Sequence, residues 1–116
     1  MALINFQKQF VPDVESGKKK QTIRAPRKHP IRKGDALYLY TGLRTRYAKK
    51  LKEVKCTGIE DVVIGKREYK TGKGVWSGYL DLDYFAQKDG FKSWQEMIKW
   101  FEKTHTLPFK GWLIKW

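Results

Sequence analysis

Cysteine occurs once in the 116 residues, as Cys56, which rules out an internal disulfide and any multi-cysteine zinc site. Histidine is nearly as scarce. His29 and His105 stand in separate regions at no metal-binding spacing, so neither a metal nor another cofactor is expected. No apolar run approaches the roughly 20 residues of a membrane span, and the opening MALINFQKQF lacks the basic leader and apolar stretch of a signal peptide. These absences lead to the expectation of a cytoplasmic protein with no membrane partner. Acidic residues are also few, 12 against 25 Lys and Arg, for a formal net charge of +13. The imbalance is local: up to Lys55 there are 15 Lys and Arg against 4 Asp and Glu, a net of +11, whereas the remainder carries only +2. A basic half of this kind favours polyanionic partners through counterion release. A solubilising lysine coat is the alternative.

A chain of this length with 41% hydrophobic and 15% aromatic residues suffices for one cored domain, expected to span residues 1–116. Residues 2–6 read as a strand and 11–17 as one or two helical turns, with Pro12 near the start and Gly17 as a stop. An extended segment follows through Gln21, Thr22 and Ile23, which places Thr22 and Arg24 on one face. The proline-bearing stretch 25–33 is a basic loop and 36–41 a strand; 42–47 is a second basic loop. Residues 51–64 suit one long strand or two, with Gly58 marking a bulge. Segments 67–69 and 75–79 flank a Lys70-Thr71-Gly72-Lys73-Gly74 turn. Residues 81–88 form a short helix that stops at Asp89-Gly90, and Ser93-Trp94-Gln95-Glu96 opens a clearer one whose Trp94, Met97, Ile98 and Phe101 share a buried face. A strand over 111–116 closes the chain. The pattern predicts an α+β fold: a small β-barrel of about five to six strands with two or three short capping helices.

The segment Gly17-Lys18-Lys19-Lys20-Gln21-Thr22-Ile23-Arg24 sets a lysine, a hydroxyl and a guanidinium at the end of a helix and along the next strand. Arg24 as a planar fork and Lys19 as a point charge suit phosphate binding. A lysine whose pKa is lowered by burial and cationic neighbours can instead serve as a base toward a hydroxyl.

The spacing Gly-x-Lys-x-x-Thr-x-Arg, met by Gly17, Lys19, Thr22 and Arg24, resembles the signature of ASCH domains, PUA-like barrels linked to RNA. Lys33-Gly34-Asp35, Leu39-Tyr40-Thr41-Gly42-Leu43-Arg44-Thr45, Asp89-Gly90-Phe91-x-Ser93 and Gly111-Trp112-Leu113-Ile114 follow in an order similar to that family, so the resemblance covers nearly the whole chain. Threonine at position 22, where many ASCH signatures carry glutamate, is similar to a subgroup of amidohydrolases that deacetylate N4-acetylcytidine. For that subgroup the resemblance implies Thr22 as nucleophile and Lys19 as base. Asp89 falls where a proton-transferring glutamate is expected, one methylene shorter. Ribonuclease activity and plain nucleic-acid binding also occur in the family.

The first expectation is therefore binding of RNA, of another single-stranded nucleic acid, or of a nucleotide or nucleoside, by a monomer. Lys19, Thr22, Arg24, Arg44 and Asp89 line the cleft, and Lys18, Lys20, Arg27, Lys28, Arg32 and Lys33 hold the flanking backbone. Arg44 and Arg46 beside Tyr47 are placed to take a phosphate and stack a base, and Trp76, near a lysine-rich turn, is a second candidate platform. Deacetylation of N4-acetylcytidine is the enzymatic alternative and ribonuclease a further one. A module reading an acidic protein partner fits the charge as well. Cys56, in strand-like sequence, reads as a small buried hydrophobe.

Overall fold

The structure, a computed structural model, describes residues 2–116. Strand β1 (Ala2–Phe6) leads through a 3-10 turn (Lys8–Phe10) into helix α1 (Val11–Ser16). Pro12 sits in the first turn of α1, where its missing N–H costs nothing, and Gly17 ends the helix at φ 84°, a left-handed conformation that glycine adopts freely. Then come β2 (Gln21–Arg24), β3 (Ala36–Thr41), β4 (Lys49–Lys55), β5 (Gly58–Ile64), the short pair β6 (Tyr69–Thr71) and β7 (Gly74–Trp76), helices α2 (Tyr79–Lys88) and α3 (Trp94–Thr104), and β8 (Phe109–Lys115).

The fold is α+β, with eight strands among the described residues rather than five to six. They form two sheets, one ordered β1-β3-β4 and one ordered β2-β8-β5-β6-β7. In the first sheet β1 runs parallel to β3, and β3 runs antiparallel to β4 with a register shift between Leu39 and Tyr40. All ladders of the second are antiparallel. Among the described residues no ladder closes the two sheets into a ring of hydrogen-bonded strands.

Three local readings differ from the sequence pattern. Gly58 is not a bulge within a strand but the first residue of β5, which joins the other sheet from β4. The hairpin is displaced: Tyr69 pairs with Trp76 and Thr71 with Gly74, so only Gly72 and Lys73 remain in the turn. A two-residue connection suits strand twist better than a five-residue one, and it stacks the Tyr69 and Trp76 rings at 5.1 Å with a 9° interplanar angle. Tyr79 belongs to α2, not to the strand expected to include it.

Between the sheets and helices lies one core that includes Ile4, Phe6, Val14, Leu37, Leu39, Val62, Ile64, Met97, Phe101 and Ile114. Helix α3 contributes Trp94, Met97, Ile98 and Phe101, the face its spacing predicts, and the Ser93 side chain caps its start by accepting from the Glu96 N–H. Cys56 is buried where β4 hands over to β5. Its N–H donates to the Asp35 carbonyl, its own carbonyl accepts from Gly34, and its thiol points at the Gly58 carbonyl 3.4 Å away. Among the described residues no helix is long and apolar enough to cross a membrane.

Candidate functional site

The segment that carries the chemistry begins where α1 stops. The left-handed turn at Gly17 lets the Lys19 N–H bond back to the Asp13 carbonyl, which sends the Lys19 side chain inward. Of three consecutive lysines, Lys18 and Lys20 are exposed, whereas Lys19 is only 2% exposed. Its ammonium donates to the Asp89 backbone carbonyl and lies 3.3 Å from Asp89 Oδ1. The Phe10 ring centroid is 4.9 Å from the same nitrogen.

Asp89 caps the end of α2, with its N–H directed at the Phe85 and Ala86 carbonyls. Gly90 follows at φ 93°, and a Cβ there would stand 3.0 Å from Phe10 Cδ1 and 3.2 Å from Lys19 Cδ. Glycine thus serves both the turn and the passage of the lysine stem. Asp89 is 4% exposed and lines the same concavity as Lys19, Thr22 and Arg24.

Along β2, Thr22 and Arg24 share a face, as strand alternation requires. Arg24 Nε donates to Thr22 Oγ1 at 3.0 Å, Nη2 donates to the Asn5 carbonyl at 2.6 Å, and the guanidinium carbon lies 4.9 Å from the Phe6 ring centroid. Arg27 Nη2 likewise donates to the Leu3 carbonyl at 2.9 Å. Leu3 and Asn5 are alternate residues on the outer edge of β1, the edge that pairs with no strand. Two guanidinium groups therefore bridge the sheets where a ladder is missing. Arg27, expected on an RNA-facing surface, is half-buried and committed to β1.

Burial pushes the Lys19 ammonium below its ordinary pKa, against the pull of Asp89. Burial also pushes the Asp89 carboxyl up, opposed by Lys19, Arg24 and Gln21. Arg24 is lowered by burial to about 10 and stays charged at neutral pH. Burial thus works against the charged form of both partners, while their mutual attraction works for it. Among the described residues no hydrogen bond joins Lys19 to Thr22.

The cleft is about 250 Å³ and includes Phe6, Phe10, Phe91, Trp100 and His105 in its walls. Trp100 and His105 escaped the sequence reading because α3 was legible only as a core helix. A trough of about 600 Å³ shares the wall of Asn5, Phe6 and Gln7 and extends past Lys8, Thr41, Gly42 and Thr45 to Tyr47. Tyr47 is 71% exposed, and the Arg46 guanidinium sits 5.1 Å from its ring while donating to its hydroxyl. Arg44 is exposed at φ 69°, an uncommon conformation for a residue with a side chain. Lys28, Arg32 and Lys33 are exposed in the loop after β2. Trp76 lies elsewhere, half-buried against Tyr69 and lining a separate cavity. Among the described residues no group of three or more His, Cys, Asp or Glu side chains offers a metal seat.

No family model, no curated protein and no solved structure matches this chain.

Proposed function

We propose that the chain is an ASCH-type domain of the PUA-like class that, as a monomer, takes one nucleotide of single-stranded RNA into the cleft of Lys19, Thr22, Arg24 and Asp89. The observation that carries this reading is the pair of concavities on either side of Asn5, Phe6 and Gln7. A cleft with aromatic walls suits one inserted base, and an adjoining trough ending at an exposed tyrosine suits its neighbour in the strand. Exposed Lys18, Lys20, Lys28, Arg32, Lys33 and Arg44 supply positive charge for the sugar-phosphate backbone. The barrel expected of the class belongs to the same proposal, with Arg24 and Arg27 spanning the gap between β1 and β2.

Fluorescence titration with a short single-stranded RNA tests the reading. Binding at low salt that weakens steeply as salt rises is expected; no binding, or binding without a salt slope, sinks it.

A second reading is favoured by the buried Lys19–Asp89 pair, whose displaced proton affinities suit chemistry better than simple phosphate binding. In it the cleft hydrolyses the acetyl amide of N4-acetylcytidine. Neutral Lys19 accepts the Thr22 hydroxyl proton as Oγ1 bonds to the acetyl carbon and the carbonyl π pair moves onto the acetyl oxygen, to return when the amide breaks, while Arg24 Nε steadies Oγ1, which it already contacts. The C–N4 bond then breaks, its electron pair goes to N4, and the Lys19–Asp89 pair returns the proton to that nitrogen. Water cleaves the acetyl-threonine ester, releases acetate and restores the hydroxyl. Release of cytidine from N4-acetylcytidine by the wild type but not by Thr22→Ala is the expected result. Equal release by both removes Thr22 as nucleophile, and cleavage of single-stranded RNA on a gel would redirect the chemistry to the phosphodiester.

A further inference from the structure

Two buried side-chain atoms among the described residues lack a well-formed hydrogen bond, Gln21 Nε2 and Asp89 Oδ1, the second met only by the Lys19 ammonium as an ion partner at 3.3 Å. One is a donor and the other an acceptor. Gln21 is 5% exposed and Asp89 4%, so neither has ready access to water. Buried polar groups are rarely left unpaired, and a complementary pair left open at one place calls for an explanation. The two side chains approach without closing a bond, yet closely enough for the Gln21 amide to favour the charged carboxylate.

The geometry follows from β2. Alternation turns Thr22 and Arg24 to the cleft and Gln21 to the opposite face. There Gln21 lines a small cavity of about 130 Å³ whose walls include Tyr69, Trp76, Phe85 and Lys88. Asp89 ends α2 between these two faces. Asp89 lines the cleft with Lys19, and Lys88 just before it lines the small cavity with Gln21.

We propose that Gln21 is a positioning residue for Asp89: a small side-chain rotation closes Nε2–H···Oδ1 and fixes the carboxylate against Lys19. This rests on the reading of Lys19, Thr22 and Asp89 as a reactive site. An amide suits the task because it donates without carrying charge and does not titrate, so the proton balance is left to Lys19 and Asp89. The charged groups acting on that pair are Arg24 from β2 on both members and Asp13 from α1 on Lys19. Neither substitutes for Gln21. Arg24 is committed to Thr22 and Asn5, and a carboxylate such as Asp13 cannot donate.

The role is read directly from the full-length protein by NMR, following the Asp89 carboxyl carbon, the Lys19 ammonium nitrogen and the Gln21 amide protons across pH. In the wild type the Gln21 amide protons are expected to move with the Asp89 titration. Gln21→Met, apolar and of similar length, shifts the Asp89 titration upward, and Gln21→Glu shifts it further by placing a second carboxyl alongside. An Asp89 titration identical in wild type and Gln21→Met, with Gln21 amide protons indifferent to it, overturns the proposal and leaves Gln21 as packing. The wild-type measurement decides the matter even where a variant fails to fold. Since no substrate is present, the outcome is separable from that of the N4-acetylcytidine assay: a coupled Gln21 in a protein that releases no cytidine retires the chemistry and keeps the pairing.

Discussion

Arg24 donates through Nη2 to the Asn5 carbonyl at 2.6 Å, so the residue that holds the Thr22 hydroxyl also fastens one sheet to the other. Site and architecture share a guanidinium. Arg27 repeats the contact two residues earlier on β1, at the Leu3 carbonyl.

Arg24→Lys keeps the charge but loses the fork, and a charged hydrogen bond to a partly buried partner contributes about 1.5–3 kcal/mol. Urea unfolding should show a loss in that range for Arg24→Lys. Arg27→Lys, with one more exposed contact, should lose about 1 kcal/mol or less. Equal effects would mean that Arg24 contributes nothing beyond its bridging bond.

The Lys19–Asp89 pair should be visible in the pH dependence of stability. With its folded pKa raised, Asp89 adds stability below its unfolded value of 3.8 and loses it as pH climbs through the folded pKa. Lys19 has a lowered folded pKa, so it adds stability above 10.5 and loses it as pH falls through the folded pKa. Both contributions therefore fade between those two limits. The difference in unfolding free energy between Lys19→Met/Asp89→Asn and wild type should favour the double variant most between those limits and shrink toward either extreme. Lys19→Met alone leaves a buried carboxylate without its cation and should cost about 3–5 kcal/mol.

Gly90→Ala introduces a Cβ in a left-handed turn, 3.0 Å from Phe10 Cδ1 and 3.2 Å from Lys19 Cδ. Backbone strain of about 1–2 kcal/mol and overpacking of about 1–3 kcal/mol should act together. Thermal unfolding should report the loss, whereas Gly34→Ala, also at positive φ but with nothing within 4 Å of the added carbon, should show only the backbone share.

Charge and stacking should separate in RNA binding. Replacing Lys28, Arg32 and Lys33 by glutamine should flatten the dependence of log affinity on log salt, by about 0.7 per lost phosphate contact on a single strand. Tyr47→Ala should weaken binding by about 1–3 kcal/mol while leaving that slope unchanged. Fluorescence titrations at several salt concentrations measure both, and a Tyr47→Ala effect confined to the slope would remove the stacking role.

Much of this was legible in the sequence because local chemistry dictated it. Pro12 and Gly17 bracket α1, Ser93 and Glu96 open α3, and alternation puts Thr22 beside Arg24. The burial of Lys19 was not legible, since in GKKKQTIR it looks no different from its neighbours and only the Gly17 turn selects it. Gln21 was overlooked for a related reason: a polar residue in a strand reads as a solvated position until a distant segment covers it. Trp100 and His105 reach the cleft through the tertiary placement of α3, which helical spacing does not encode. The split between β4 and β5 likewise depends on which sheet each joins, and Gly58 permits either outcome.

Cys56 stands where the chain leaves one sheet for the other, with 1% of its surface exposed and its thiol turned toward the Gly58 carbonyl. A bulky thiol reagent can reach it only while the segment between β4 and β5 lifts from the core. The lone cysteine is therefore an intrinsic stopwatch for this handover, and its labelling rate in the unaltered protein registers how often the crossing from one sheet to the other opens.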